Sequence, residues 1–268
     1  MKLEVLVSTM HQNDMSIIKK MNLSSDALVI NQCNKAYIEE IMTGDSGHVF
    51  RMISLNDRGL SRSRNTAIYH SDADICVLAD DDMVYKENYT GIIKNAYERY
   101  PDADVIAFDV PSTNSSRPTS KLKRGDIGFL LSMKLASFQL TFKRNSILEH
   151  QIAFNELFGA GARYICGEEN IWLAECLKKG LKIKYADEEI AWVDHKQSNW
   201  FQGFNEYYFI TKGAMFYEMC RILWLPLILQ FAIRKRKLYR SDISLLHALK
   251  YMIKGGLDYK GLLAKRRN

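Results

Sequence analysis

Asp74-Ile75-Cys76-Val77-Leu78-Ala79-Asp80-Asp81-Asp82 is the stretch whose reading decides the fold. The unbroken apolar run Ile75–Ala79 predicts a strand buried on both faces, as in a parallel sheet covered by helices. Three consecutive carboxylates then stand where that strand ends. They repel one another, and the strand end limits how far they can splay. A hard divalent cation, Mg²⁺ or Mn²⁺, relieves that repulsion, and such ions favour one or two carboxylates together with substrate phosphates. The alternative is an acidic turn capping the next helix.

Working outward, the same alternation recurs. Leu3-Glu4-Val5-Leu6-Val7-Ser8 predicts a first strand, Ala27–Ile30 a second, His48–Ile53 a third and Asp104–Phe108 a fifth. Between them fall helical patterns from Asp14 to Met21, Ser61 to His70 and Glu87 to Arg99. This spacing implies βαβ units: an α/β, Rossmann-type, mostly parallel sheet sandwiched by helices. Ligands in such sheets sit at the carboxyl ends of strands. That puts Ser8-Thr9, Asn31-Gln32 and Asp80-Asp81-Asp82 along one rim. Beyond a polar stretch at 111–126, the sequence predicts a strand over Phe138–Phe142, a helix over Ile171–Lys179 closed by Gly180, and a strand at Ile183–Tyr185.

Some classes are excluded early. The first strand is followed by Ser8-Thr9-Met10-His11, so a glycine-rich dinucleotide turn is missing. That also disfavours a nucleotidyltransferase with a glycine-rich basic loop. Phosphatases of the haloacid dehalogenase type place Asp-x-Thr or Asp-Gly-Thr after the nucleophile, whereas Asp82 precedes Met83-Val84. Five dispersed cysteines read as reduced thiols of a cytosolic chain. Met1–Thr9 lacks the apolar stretch of an export signal, and no run of roughly 20 apolar residues spans a bilayer.

Four ordered elements resemble the GT-A glycosyltransferases, specifically the inverting family 2 that serves bacterial capsule and exopolysaccharide assembly. Asp80-Asp81-Asp82 resembles their Asp-x-Asp signature. Asn56-Asp57-Arg58-Gly59-Leu60-Ser61-Arg62-Ser63-Arg64-Asn65 is similar to their N-x-G-x-x-x-x-R-N helix start. Gly167-Glu168-Glu169-Asn170-Ile171-Trp172-Leu173 resembles their Glu-Asp motif, and His195 falls where many members have a metal-binding histidine. The resemblance implies a metal held by Asp82, Asp80 and His195. It places the nucleotide-sugar donor near Thr9, Asn31, Asp57, Arg64, Asn65, Asp80 and Asp81, with Arg64 reaching a base or phosphate or, as the alternative, forming a surface salt bridge. Glu169 is the expected general base, abstracting the acceptor's proton. Members usually carry Asp there, so Glu169 is a departure that leaves Glu168 as its rival.

The net charge of +6 is unevenly spread. Residues 200–268 carry 7 Lys and 6 Arg against 2 Asp and 2 Glu, which leaves 1–199 mildly acidic. The chain therefore divides into a catalytic domain over 1–199 and a helical, basic extension over 200–268. Within that extension Ile222–Ile233 is apolar and is followed by Arg234-Lys235-Arg236-Lys237. Too short to span, it suits the bilayer interface, so 221–240 is the expected peripheral contact with the cytoplasmic face of the membrane. Ordinary packing helices are the alternative. Nucleic acid is not an expected partner, because the aromatic residues do not alternate with the charges. The expected acceptor is a glycan, lipid-linked or polymeric. A second reading keeps the fold as a catalytically inactive, membrane-associated sugar- or nucleotide-binding protein.

Overall fold

The computed structural model describes residues 1–42, 47–114, 119–194, 201 and 203–267. In chain order its elements are β1 (Leu3–Met10), α1 (Ser16–Lys20), β2 (Asp26–Gln32), β3 (Tyr37–Met42), β4 (Val49–Leu55), α2 (Leu60–His70), β5 (Ile75–Asp80), β6 (Met83–Tyr85), α3 (Tyr89–Arg99), β7 (Val105–Asp109) and β8 (Gly125–Asp126). They continue as α4 (Phe129–Ser132), β9 (Leu140–Lys143), α5 (Arg144–Glu149), α6 (Glu168–Lys178), β10 (Ile183–Glu189), β11 (Ala191–Val193), α7 (Glu206–Met219), α8 (Trp224–Tyr239) and α9 (Leu245–Arg267).

Among the described residues nine strands form one sheet, in the order β3-β4-β2-β1-β5-β9-β7-β10-β8. β4, β2, β1 and β5 are mutually parallel, and β7 and β10 run the same way. β9 lies between β5 and β7 and is antiparallel to both. The sheet edges, β3 and β8, are also antiparallel to their neighbours. The prevailing direction therefore carries the carboxyl ends of β1, β2, β4 and β5 to one rim.

Alternation along β1 shows how the core is split. Leu3, Val5 and Val7 pack with Ile17 and Ile18 of α1 and Ile93 and Tyr97 of α3. Leu6 turns to the opposite face, with Ala67 and Ile68 of α2 and Trp172 of α6. Each such buried aliphatic side chain stabilises the fold by roughly 1.5–3 kcal/mol over an exposed one.

A third core changes the view of the basic extension. Phe158, Tyr164, Ile171 and Ala174 share it with Phe209 and Met215 of α7, Ile228 of α8, and Met252 and Tyr259 of α9. These helices are thus packed onto the α6 region, and the expected break at 199/200 falls within residues outside the description. α7 and α9 approach closely. A Cβ on Gly213 would sit 1.8 Å from the Met252 carbonyl oxygen, and one on Gly255 would sit 2.0 Å from that of Ile210. Only glycine permits this crossing.

Candidate active site

The carboxylate triplet stands at the end of β5, with Ser8 of β1 in register with Asp80. α2 is pinned beneath it: Ser63 Oγ donates to Ser8 Oγ at 2.8 Å and Ser61 Oγ to the Phe158 carbonyl at 2.7 Å. Ser61 does not cap the helix, because Gly59 occupies that position.

Arg64 ties the site together. Its side chain is 2 % exposed. One guanidinium nitrogen donates to Glu168 Oε1 at 2.9 Å, and the other to Asp80 Oδ1 at 3.0 Å and Ser137 Oγ at 2.7 Å. Burial works against its charge, but Asp80 and Glu168 outweigh that and hold its pKa above the ordinary arginine value. These bonds match the salt-bridge alternative for this arginine more closely than a fork aimed at a base or phosphate. The guanidinium faces inward and joins the end of β5 to the start of α6.

The two glutamates of α6 are thereby separated in character. Glu168 is buried against Arg64. Glu169 keeps an exposed edge, yet its carboxyl is crowded by protein. Burial and the neighbouring Glu168 push Glu169 well above the ordinary carboxylate range, against the pull of Lys212 from α7. α6 starts from Gly167, whose φ of +96° is a left-handed conformation that L side chains rarely adopt, and a Cβ there would meet Met215 of α7.

Asp82 has a different partner. The β6–β11 ribbon is antiparallel with Val193 opposite Met83, and the Asp194 amide donates to the Asp82 carbonyl at 2.9 Å. Burial pushes the Asp82 carboxyl up, and the charges of Asp80, Asp81 and Asp194 add to that, bringing it to about 7. Hard oxygen donors crowded until one holds a proton near neutrality suit a divalent cation. Among the described residues no three ligating side chains meet at one point. The residues present would therefore fit a divalent cation held by one or two of these carboxylates. His195 lies outside the described residues.

The remaining sequence-predicted residues divide by geometry. Thr9 Oγ1 donates to Asp81 Oδ2 and accepts from Gln12 Nε2, so it belongs to the acidic rim. Asn31 is wholly buried, with its amide spent on both backbone groups of Gln12 and on Ser54 Oγ. Asn65 similarly bonds the amide and carbonyl of Phe154. Both side chains hold the scaffold together through these bonds. Asp57 is exposed near the N-terminus of α2 and pairs with Arg62 at 2.8 Å. Arg62 and the Arg58 amide hold Asp57 below the usual carboxylate range, the amide being the stronger influence.

Three residues of this constellation escaped the sequence reading: Ser137, Asp194 and Lys212. Asp194 had a faint signal, since it directly precedes His195. Nothing local marks Ser137 or Lys212.

A family model described as "Glycosyl transferase family 2" matches residues 16–164, more than half of the chain. The fold is similar to that of S. aureus TarS residues 1–349, at 12 % identity and a TM-score of 0.62, over 90 % of this chain and 74 % of that one. The same TarS fragment in complex with UDP-GlcNAc matches at 12 % identity with a TM-score of 0.64, over 90 % and 74 % of the two chains. Its complex with UDP matches at 13 % identity with a TM-score of 0.64, over 95 % and 81 %. At such identities the likeness establishes the fold. No curated protein gives a significant match.

Proposed function

The chain belongs to glycosyl transferase family 2, and from that premise we propose that it transfers a hexose or N-acetylhexosamine, with inversion, from a UDP-sugar to a sugar hydroxyl. The acceptor is lipid-linked or polymeric, of the kind built into bacterial capsule or exopolysaccharide. The observation that carries this reading is the Arg64 bridge, which sets Asp80 at the end of β5 and Glu168 at the start of α6 on one rim. The similarity to a fold that binds UDP and UDP-GlcNAc in TarS supports the choice of donor.

In this mechanism Asp80, Asp81, Asp82 and Thr9 line the donor's diphosphate side, and Asp82, with Asp80, would hold a divalent cation. Bound Mn²⁺ or Mg²⁺ supplies positive charge that stabilises the departing diphosphate. Glu169 accepts the proton of the acceptor hydroxyl while that oxygen bonds to the anomeric carbon. The bond from that carbon to the diphosphate breaks on the opposite face, so the configuration inverts. A raised carboxyl pKa suits a base that works near neutrality. Glu168, neutralised by Arg64, is left to position α6.

The supporting test is calorimetric binding of UDP with and without Mn²⁺, followed by transfer assays. Wild type is expected to bind UDP in a metal-dependent way that Asp82→Ala loses. Glu169→Gln should keep UDP affinity and lose about 10²–10⁴-fold in kcat. Unchanged turnover in Glu169→Gln would remove it as the base. Binding without any turnover would favour the inactive-protein reading.

We also propose peripheral membrane attachment through α8. Leu225, Leu229 and Ile233 recur at helical spacing and are exposed, and Ile222 before them is 89 % exposed. Arg236 and Lys237 are exposed with no carboxylate partner among the described residues. An apolar stripe edged by unpaired cations complements an anionic bilayer. No helix among the described residues is long and apolar enough to cross a membrane.

A further inference from the structure

A cleft of about 430 Å³ opens where α6, α7 and α8 meet the segment Ser120–Lys134. Its volume lies within the range of small-molecule sites. Five cations line it, Lys121, Lys134, Lys212, Arg234 and Lys235, and no carboxylate is among its described lining residues. Lys121 is partnered by Asp109 at 2.9 Å, and Lys212 acts electrostatically on Glu169. Lys134, Arg234 and Lys235 have no carboxylate partner among the described residues. Between the charges the wall is apolar, formed by Met133, Met215, Phe216 and Phe231.

The cleft also adjoins the reacting side of the site. Asn170, one of its lining residues, follows Glu169 on α6, and Lys212 is shared between the cleft and Glu169. A neutral sugar gives the three cations without a carboxylate partner among the described residues, Lys134, Arg234 and Lys235, nothing to neutralise. A phosphate offers several acceptor oxygens and formal negative charge, which lysine and arginine bind through short charge-assisted hydrogen bonds. The apolar wall then accommodates the carbon chain of the ester.

We propose that this cleft seats a phosphate ester of the acceptor, orienting the acceptor's hydroxyl toward Glu169. The proposal rests on the transferase reading and narrows its substrate class to acceptors that bear phosphate. Such a phosphate belongs either to a lipid carrier or to a phosphate-bearing polymer.

The test is calorimetric titration of the full chain with octyl phosphate, glycerol 3-phosphate and, as a neutral control, octyl glucoside. UDP affinity is measured on every variant. Octyl phosphate is expected to bind, octyl glucoside to bind at least tenfold more weakly, and Lys134→Glu/Arg234→Glu to lose at least tenfold in octyl phosphate affinity while keeping UDP affinity. Glycerol 3-phosphate binding comparably to octyl phosphate indicates a polymer acceptor, and octyl phosphate binding alone indicates a lipid carrier. If the charge reversal disturbs the fold, the milder Arg234→Ala is used, with a loss of about threefold expected. Equal affinity in wild type and variants, no binding of either phosphate, or equal binding of octyl glucoside overturns the proposal. Absence of UDP binding in wild type is a separate failure, that of the transferase reading itself.

Discussion

The rim at the end of β5 and the cleft lined by α7 and α8 gather opposite charge. At the rim, Asp80, Asp81, Asp82 and Asp194 crowd together until Asp82 is held near a pKa of 7, and Arg64 neutralises only Asp80 and Glu168. In the cleft Lys134, Arg234 and Lys235 stand without a carboxylate partner among the described residues. Each region is electrostatically unfinished, and the complement missing from one differs in sign from that missing from the other. On the proposed function, the difference teaches that the two substrates would be separated by charge. A cation and diphosphate would complete the acidic side, and an anion the basic side.

The strongest way to break this arrangement is at Arg64. Arg64→Ala leaves Glu168 buried and uncompensated and is expected to destabilise the fold by about 3–5 kcal/mol. Thermal denaturation should show a drop in Tm of roughly 6–20 °C for a chain of this size. A loss under about 1 kcal/mol would mean that the bridge contributes little and that Asp80 and Glu168 are placed by other contacts.

The comparison is sharpened at the boundary, with Lys212→Met. Lys212 favours the charged form of Glu169 and so opposes the raised pKa. Without it that pKa rises further, and the acid limb of the pH profile of kcat/KM should move to higher pH. The shift expected is up to about one unit, or about 1.4 kcal/mol. An unmoved limb would show that the basic helices do not influence the base. The same shift carries a stability sign. Because Glu169 is raised in the folded state, its contribution is fully present below the unfolded carboxylate pKa and is lost as pH rises through the folded value.

The smallest effect concerns the outer face of α8. Arg236→Glu and Lys237→Glu should each weaken binding to vesicles containing phosphatidylserine by about 1 kcal/mol. Sedimentation at low and high salt reads this, and binding by wild type should fade as salt rises. Failure of wild type to sediment at low salt would confine the role of the basic helices to the cleft.

Much of the first half was legible in the sequence because its signals are local. The apolar run Ile75–Ala79 announced β5, and Asp80–Asp82 announced the rim. Other features depend on contacts between distant residues. Arg64 meets Glu168 across 104 positions, and no spacing rule reveals that its fork turns inward. The ribbon strands β6 and β11 are three residues each, with Val84 and Trp192 exposed. Strands so short and half-exposed carry no periodicity, so the arrival of Asp194 beside Asp82 was invisible. α7 begins at Glu206, and its apolar residues run around most of its surface because it is wrapped by α6, α8 and α9. Without an amphipathic stripe it escaped detection, and Lys212 with it. The basic composition of the extension pointed to a surface role, while much of that region is core.

That core has a consequence for how the protein is made. Asn155 donates to the Tyr259 hydroxyl at 2.9 Å, and Phe158 and Tyr164 both pack against the Tyr259 ring. Those aromatic rings buttress the segment leading into Glu168 and Glu169. On the ribosome they lack this part of their packing while β10, α7 and α8 are made, until α9 emerges. The segment leading into the two glutamates therefore waits on a later helix, and a nascent chain stalled within α9 holds every residue of the acidic rim without the full support beneath Glu169.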